Sequence, residues 1–162
     1  MSTPTCPWGM HPDAWAAFLR ACSAANETPR HIVQTIGNAP ASCGTHLQDG
    51  TDPVPYSAAT DIRSSTYTTE QNEWFRLQMI HQGFVPYWRH TGSFAANQHF
   101  HVVWPGCKMK ASLRSQVHDF LAAKDGLADH TGDDWLATPD HLSEADAQAI
   151  RTAFLAHNQA DW

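Results

Sequence analysis

The sequence has little positive charge. Its 10 lysine and arginine residues stand against 16 aspartate and glutamate residues, which gives a formal net charge of −6 at pH 7. A chain with this balance lacks the basic stripe by which proteins bind duplex nucleic acid or anionic membrane surfaces. It also lacks any apolar run of 18 residues, so it predicts no membrane span. We therefore expect neither nucleic acid nor a lipid bilayer as a partner.

Several short motifs are missing as well. Residues 1–12 have neither the charged start nor the apolar run of a secretory signal, so the sequence predicts synthesis into the cytoplasm and leaves the compartment open. The four cysteines form no Cys-x-x-Cys pair, which excludes a Cys₄ zinc ribbon. There is no P-loop, dinucleotide fingerprint or Gly-x-Ser-x-Gly elbow. Nucleotide-dependent chemistry and serine hydrolysis therefore have no support in the sequence.

The patterning predicts an α+β fold, a small antiparallel sheet backed by helices. A length of 162 residues with 42% hydrophobic residues suits a single domain over 1–162, with the last helix as a possible appended element. Helical spacing and capping signals predict helices over 12–25, 68–82, 112–123 and 143–157. Alternating or β-branched segments predict strands over 56–62, 84–88 and 99–104, and a short strand or turn over 31–36.

The helix over 68–82 has the clearest boundaries. Thr68 or Thr69 supplies a cap at its start, and Gly83 is a natural stop at its end. The spacing of Trp74, Leu77 and Ile80 predicts the face that packs on the core.

Histidine is abundant, with 11 residues, and two of them stand together in a strand pattern. In His99-Phe100-His101, side chains at i and i+2 point to the same face of a strand. The two imidazoles therefore project into one site, where one can bind a metal while the other donates a hydrogen bond or moves a proton. The alternative is a pair of histidines facing solvent on an edge strand.

Two further residues have the chemistry of metal ligands. Asp61 ends a strand pattern of small and apolar residues, where a buried carboxylate needs a partner. His46 lies upstream in a loop over 37–55 that is rich in Gly and Pro, and loops of that length are often functional. With one histidine of the later strand, these residues would give three ligands and leave the fourth zinc position to water.

The ordered set His…Asp…His-x-His resembles the zinc peptidase superfamily of D-Ala-D-Ala peptidases, murein endopeptidases and Hedgehog-type domains. The segment Asn97 to Val102 is similar to the murein endopeptidase version, and the amphipathic helix that follows it also fits. The resemblance extends over residues 46–120. It implies a Hedgehog/D-Ala-D-Ala-peptidase-like fold and a zinc-dependent hydrolase that cleaves amide bonds in peptides, including peptidoglycan peptides.

The resemblance also implies roles for individual residues. His46, Asp61 and His101 would be the zinc ligands, and His99 would stabilise the oxyanion or assist proton transfer. Arg63 or Arg89 would hold a substrate carboxylate.

Aromatic residues next to these segments in the sequence have two interpretations. Tyr56 and Trp88, together with Tyr87 and Trp104, would form a rim that binds a peptide or a sugar, or they would supply core packing.

Two departures from the family pattern keep a second function open. The histidine expected seven positions before Asp61 is replaced by Val54, and the glutamate that many relatives carry as general base is Gln98. The alternative is therefore a non-catalytic zinc- or ligand-binding module on the same fold. A third candidate, a metal phosphohydrolase suggested by His118-Asp119, would require an all-helical fold, which the predicted strands oppose.

Overall fold

The computed structural model of the chain describes residues 9–34, 49–50, 56–127 and 130–158. Its helices are α1 (Pro12–Ala24), α2 (Thr69–His81), α3 (Ala111–Leu121) and α4 (Glu144–His157). Its strands are β1 (Ile32–Gln34), β2 (Ala59–Arg63), β3 (Val85–Arg89) and β4 (His99–Val103). A short 3₁₀ helix, Gly92–Phe94, connects β3 to β4. The described part of the chain confirms the predicted α+β class with a small antiparallel sheet.

The four strands form one antiparallel sheet in the order β1-β2-β4-β3. Strand β4 lies inside the sheet, bonded to β2 on one edge and to β3 on the other. In this register His101 lies opposite Asp61 on β2 and opposite Tyr87 on β3. The histidine pair therefore lies on an interior strand, which rules out the edge-strand interpretation.

Helices cover both faces of the sheet because successive side chains of the strands point to opposite faces, and each face carries apolar residues. On one face Phe100 and Val102 pack with residues of α1 and α2, among them Phe18 and Phe75. On the other face the apolar contacts come from the ends of the strands nearest α3 and α4. That cluster includes Ala59, Val85, Val103, Leu113, Val117, Phe120, Ile150 and Phe154. The remaining positions on this second face are polar, and they form the candidate site.

Helix α2 begins and ends where the sequence predicts. The hydroxyl of Thr68 accepts a hydrogen bond from the Gln71 amide, and the Gln71 side chain accepts one from the Thr68 amide, which makes a reciprocal capping box. The predicted apolar face is wrong in part, since the Trp74 side chain is 51% exposed. Phe75 and Met79, four residues apart, pack on the core instead, while Ile80 is buried as predicted.

Other boundaries shift by a few residues. The strand predicted over 56–62 begins at Ala59, because the Ser57 hydroxyl donates to the Ala59 carbonyl and its amide donates to the Gly9 carbonyl. The predicted loop over 37–55 lies outside the described residues except for Asp49 and Gly50. Within the described ranges, none of the helices has the length and apolar character needed to cross a bilayer.

Candidate functional site

Asp61, His99 and His101 converge on the second face of the sheet. Directly opposite residues of antiparallel strands share a face, and the register pairs Asp61 with His101. The Asp61 carboxylate lies between the two imidazoles: Oδ1 is 3.0 Å from His101 Nδ1, and Oδ2 is 3.9 Å from His99 Nε2. The predicted i, i+2 projection of both histidines into one site is thus present in the fold.

These three side chains are buried. Asp61 and His101 are each 8% exposed and His99 is 6% exposed. A carboxylate removed from water is costly unless it is hydrogen-bonded or paired with positive charge. Each oxygen of Asp61 faces a different imidazole, and such a pair can share a proton or a cation.

The second ring nitrogen of each imidazole also has a hydrogen-bond partner. The Asn97 carbonyl lies 2.8 Å from His99 Nδ1, and a carbonyl oxygen only accepts, so Nδ1–H donates and Nε2 is turned toward Asp61. The edge of the Phe94 ring packs against His99 at a centroid distance of 5.4 Å. His101 Nε2 lies 3.1 Å from Oε1 of Gln116 on α3. The orientation of both rings is therefore set by contacts outside the Asp61 pair.

The donor set fits part of a zinc site. Zinc takes carboxylate oxygen and imidazole nitrogen at about 2.0–2.2 Å, so two ligand atoms on one tetrahedral ion lie roughly 3.3 Å apart. The two distances from Asp61, 3.0 and 3.9 Å, bracket that separation. Within the described ranges, no three His, Cys, Asp or Glu side chains are grouped as ligands of one ion. His46, the third ligand implied by the resemblance, lies outside the described residues.

A small cavity of about 210 Å³ opens beside the cluster. Asp61 and His99 form one wall, and Gln34, Arg89, Phe94 and Asn97 are among the other residues that line it. The cavity gives a small polar group access to the side of the cluster on which Asp61 and His99 meet.

A larger groove of about 570 Å³ adjoins this cavity. Arg89 and Phe94 line both, with the Arg89 guanidinium carbon 4.8 Å from the centre of the Phe94 ring. Trp88, Trp135 and Glu73 contribute other parts of the groove wall. Arg89 is thus positioned to contact a molecule that extends from the groove toward the histidines.

The floor of the groove contains a buried ion pair. Arg76 on α2 contacts Asp133 at 3.1 Å, and its guanidinium lies 4.2 Å from the centre of the Trp135 ring. Burial lowers the pKa of Arg76, and the Asp133 carboxylate opposes that shift. The pair joins α2 to the segment before α4 and holds Trp135 against the groove.

The residues predicted to bind substrate lie in different surroundings. Arg89 lines both cavities, and exposed Arg63 lies opposite His99 in the β2–β4 register. Trp88 stacks on Phe100 and also lines the groove. Tyr56 lies in the hydrophobic core, where its hydroxyl donates to the Lys108 carbonyl at 3.0 Å.

Sequence reasoning missed several residues of the site. Gln116, Asn97 and Phe94 contact the histidines, and the Arg76–Asp133 pair shapes the groove. Gln116 had only a weak signal, a polar residue adjoining the apolar stripe of an amphipathic helix. Asn97 and Phe94 are close to His99 in the sequence, but no motif marks them, and the Arg76–Asp133 pair forms between residues 57 apart.

Comparisons of this chain with protein-family models, curated proteins and solved structures gave no match.

Proposed function

We propose that this chain is a zinc-dependent hydrolase that cleaves amide bonds in peptides, with peptidoglycan peptides among its substrates. Its fold would be of the Hedgehog and D-Ala-D-Ala peptidase type. The observation that carries the proposal is the Asp61 carboxylate, buried between two imidazoles with one oxygen toward each. A buried carboxylate in this position can share a cation with His101, and the 3.0 Å between Asp61 Oδ1 and His101 Nδ1 suits two ligands of one zinc ion.

Asp61 and His101 would hold the metal together with His46. Zinc, when bound, polarises the scissile carbonyl and lowers the pKa of water toward about 7. His99 would move the proton, since its Nδ1–H is committed to the Asn97 carbonyl and its Nε2 is free to accept on the cavity side. Gln98 takes no part, because its amide donates to the Ala95 carbonyl at the exposed surface.

Arg89 would orient the substrate. Its guanidinium lines both the cavity and the groove, and guanidinium forms two parallel hydrogen bonds to a carboxylate. A peptide lying in the groove with its terminal carboxylate at Arg89 would bring the nearest amide bond toward the histidines.

The second candidate is a binding module without catalysis. One observation favours it: the position where many relatives have a glutamate general base is Gln98, an amide that cannot accept a proton at neutral pH. Such a module would bind zinc or peptide with the same residues and would release no product.

Zinc stoichiometry tests the metal site. We expect one zinc per chain by elemental analysis of the metal-replete protein, with zinc lost or weakened in Asp61→Ala, His101→Ala and His46→Ala. His157→Ala, which alters an exposed histidine at the end of α4, should keep its zinc. A wild-type chain that takes up no zinc would refute the proposed hydrolase. Loss in the first two variants but not in His46→Ala would assign the third ligand to another residue.

His99→Ala separates the enzyme from the binding module. We expect this variant to retain zinc and to lose peptide hydrolysis by about 10²- to 10⁴-fold, since it removes the proton-transfer group. Product formation is followed by chromatography of short peptides with free carboxyl termini. If neither wild type nor variant cleaves any peptide while both bind zinc and peptide equally, the binding module is correct.

A further inference from the structure

The far nitrogen of His101 is contacted by a residue that the proposed chemistry does not yet use. We propose that Gln116 is a positioning residue that fixes the ring of His101 so that Nδ1 is directed at the metal shared with Asp61. This inference rests on the proposed zinc site. Gln116 Oε1 lies 3.1 Å from Nε2, while Asp61 Oδ1 lies 3.0 Å from Nδ1 on the other side of the ring.

Gln116 is itself held in place. Its backbone carbonyl accepts a hydrogen bond from the Tyr87 hydroxyl, and Tyr87 lies opposite His101 in the β3–β4 register. Gly126 approaches closely: a Cβ there would lie 2.6 Å from the Tyr87 hydroxyl and 3.1 Å from Gln116 Cα. The amide is therefore presented to His101 by a closely packed contact between β3, α3 and the turn that follows α3.

The chemistry of the amide oxygen determines which nitrogen carries the proton. A carbonyl oxygen only accepts, so a hydrogen bond from His101 to Gln116 Oε1 requires hydrogen on Nε2. With hydrogen on Nε2, the Nδ1 atom that faces Asp61 at 3.0 Å can bind a metal shared with the carboxylate, and in the metal-free protein a second hydrogen on Nδ1 donates to Asp61. Zinc-binding histidines usually donate their second ring N–H to such an acceptor.

Zinc affinity measured by competition with a chromophoric chelator tests the role. We expect Gln116→Met, which removes the acceptor at similar size, to weaken zinc binding about 10- to 100-fold. Gln116→Glu keeps an acceptor at the same place and should bind zinc at least as tightly as wild type. Gln148→Met, a matched change on the exposed side of α4, should have no effect. Wild-type affinity in Gln116→Met, or equal weakening in Gln116→Glu, would overturn the inference.

A second readout keeps this inference separable from the proposed function. In the metal-free proteins, the ¹⁵N–¹H spectrum of His101 should show a hydrogen on Nε2 in wild type and in Gln116→Glu. In Gln116→Met this Nε2–H signal should be lost or shifted. Should wild type bind no zinc, the hydrolase proposal fails, while these spectra still decide whether Gln116 orients His101. Identical His101 signals in all three proteins would refute the positioning role. If Gln116→Met does not fold, Gln116→Asn replaces it, because its amide is one methylene too short to reach His101. The same weakening of zinc binding and the same change in the Nε2–H signal are expected.

Discussion

At the scale of single residues, Cys22 shows how burial sets the chemistry of a thiol. Cys22 lies on α1 and is 1% exposed. It packs in the apolar cluster that α1 and α2 form with the first face of the sheet. Burial, with a smaller contribution from the Glu27 carboxylate, raises the pKa of the thiol from 9.0 to about 11. The folded state therefore holds this proton more tightly than the unfolded chain does.

A pH-dependent loss of stability follows from this shift. Because the pKa of Cys22 is raised on folding, its contribution is complete below pH 9.0 and is lost as the pH rises through about 11. We expect the free energy of unfolding of wild type, measured in urea under reducing conditions, to fall more steeply across that range than the value for Cys22→Ala. Parallel curves for the two proteins would show that the thiol does not titrate as the structure requires.

At the scale of elements, Arg30 fastens the segment after α1 to helix α2. Its guanidinium forms two hydrogen bonds to the Glu27 carboxylate, at 2.6 and 2.8 Å, and one to Asn72 on α2 at 2.6 Å. The same group lies over the rings of Tyr67 and Phe75, at 3.6 and 4.0 Å from their centres. A planar cation with five donors meets all of these partners at once.

Lysine cannot replace this arginine. We expect Arg30→Lys to lower the free energy of unfolding by about 2–4 kcal/mol, since a single ammonium keeps the charge but loses the paired hydrogen bonds and the stacking. Urea denaturation followed by circular dichroism measures the loss. Arg20→Lys, at an exposed position where the guanidinium donates to Gln82, should change stability by less than about 0.5 kcal/mol. A comparable loss of stability in both variants would contradict this role of the Arg30 guanidinium.

The sequence predicted the elements better than their faces. Local signals located α2 well, since the Thr68 cap and the Gly83 stop, at φ +90°, act within a few residues. The apolar face was misjudged because two polar residues of α2, Asn72 and Arg76, are buried against Arg30 and Asp133. Hydrophobic periodicity cannot detect a buried position whose polar partner comes from a distant part of the chain.

The candidate site was likewise predictable from the sequence only in part. Asp61, His99 and His101 could be found from residue type and strand alternation, and the fold brings them together. The β2–β4 register that places Asp61 opposite His101 depends on pairing between residues 40 apart in the sequence, and the contact of His101 with Gln116 depends on how α3 packs on the sheet. Such contacts form only when the helical layers pack on the sheet.

At the scale of the whole molecule, the groove and the site cluster meet at one charged side chain. No ion pair within the described ranges includes Arg89, whose guanidinium contacts the Phe94 ring between the two cavities. Its charge therefore remains available to a ligand that occupies both spaces.

Arg89→Ala tests this arrangement. For a peptide with a free terminal carboxylate we expect KM to rise about 10- to 100-fold, the value of a lost charge-assisted hydrogen bond pair. The same peptide with an amidated terminus serves as the control, and its weaker binding should change little. An equal effect on both peptides would mean that Arg89 supports the groove without contacting the carboxylate.

Strand β4 has a neighbour on each edge and a helical layer over each face. Backbone amides in such a strand exchange with solvent mainly through openings whose free energy approaches that of global unfolding. His99 and His101 are thus attached to a slowly opening part of the fold. A destabilising substitution in either helical layer would therefore lower the fraction of molecules that are folded. The molecules that remain folded would keep the geometry around Asp61.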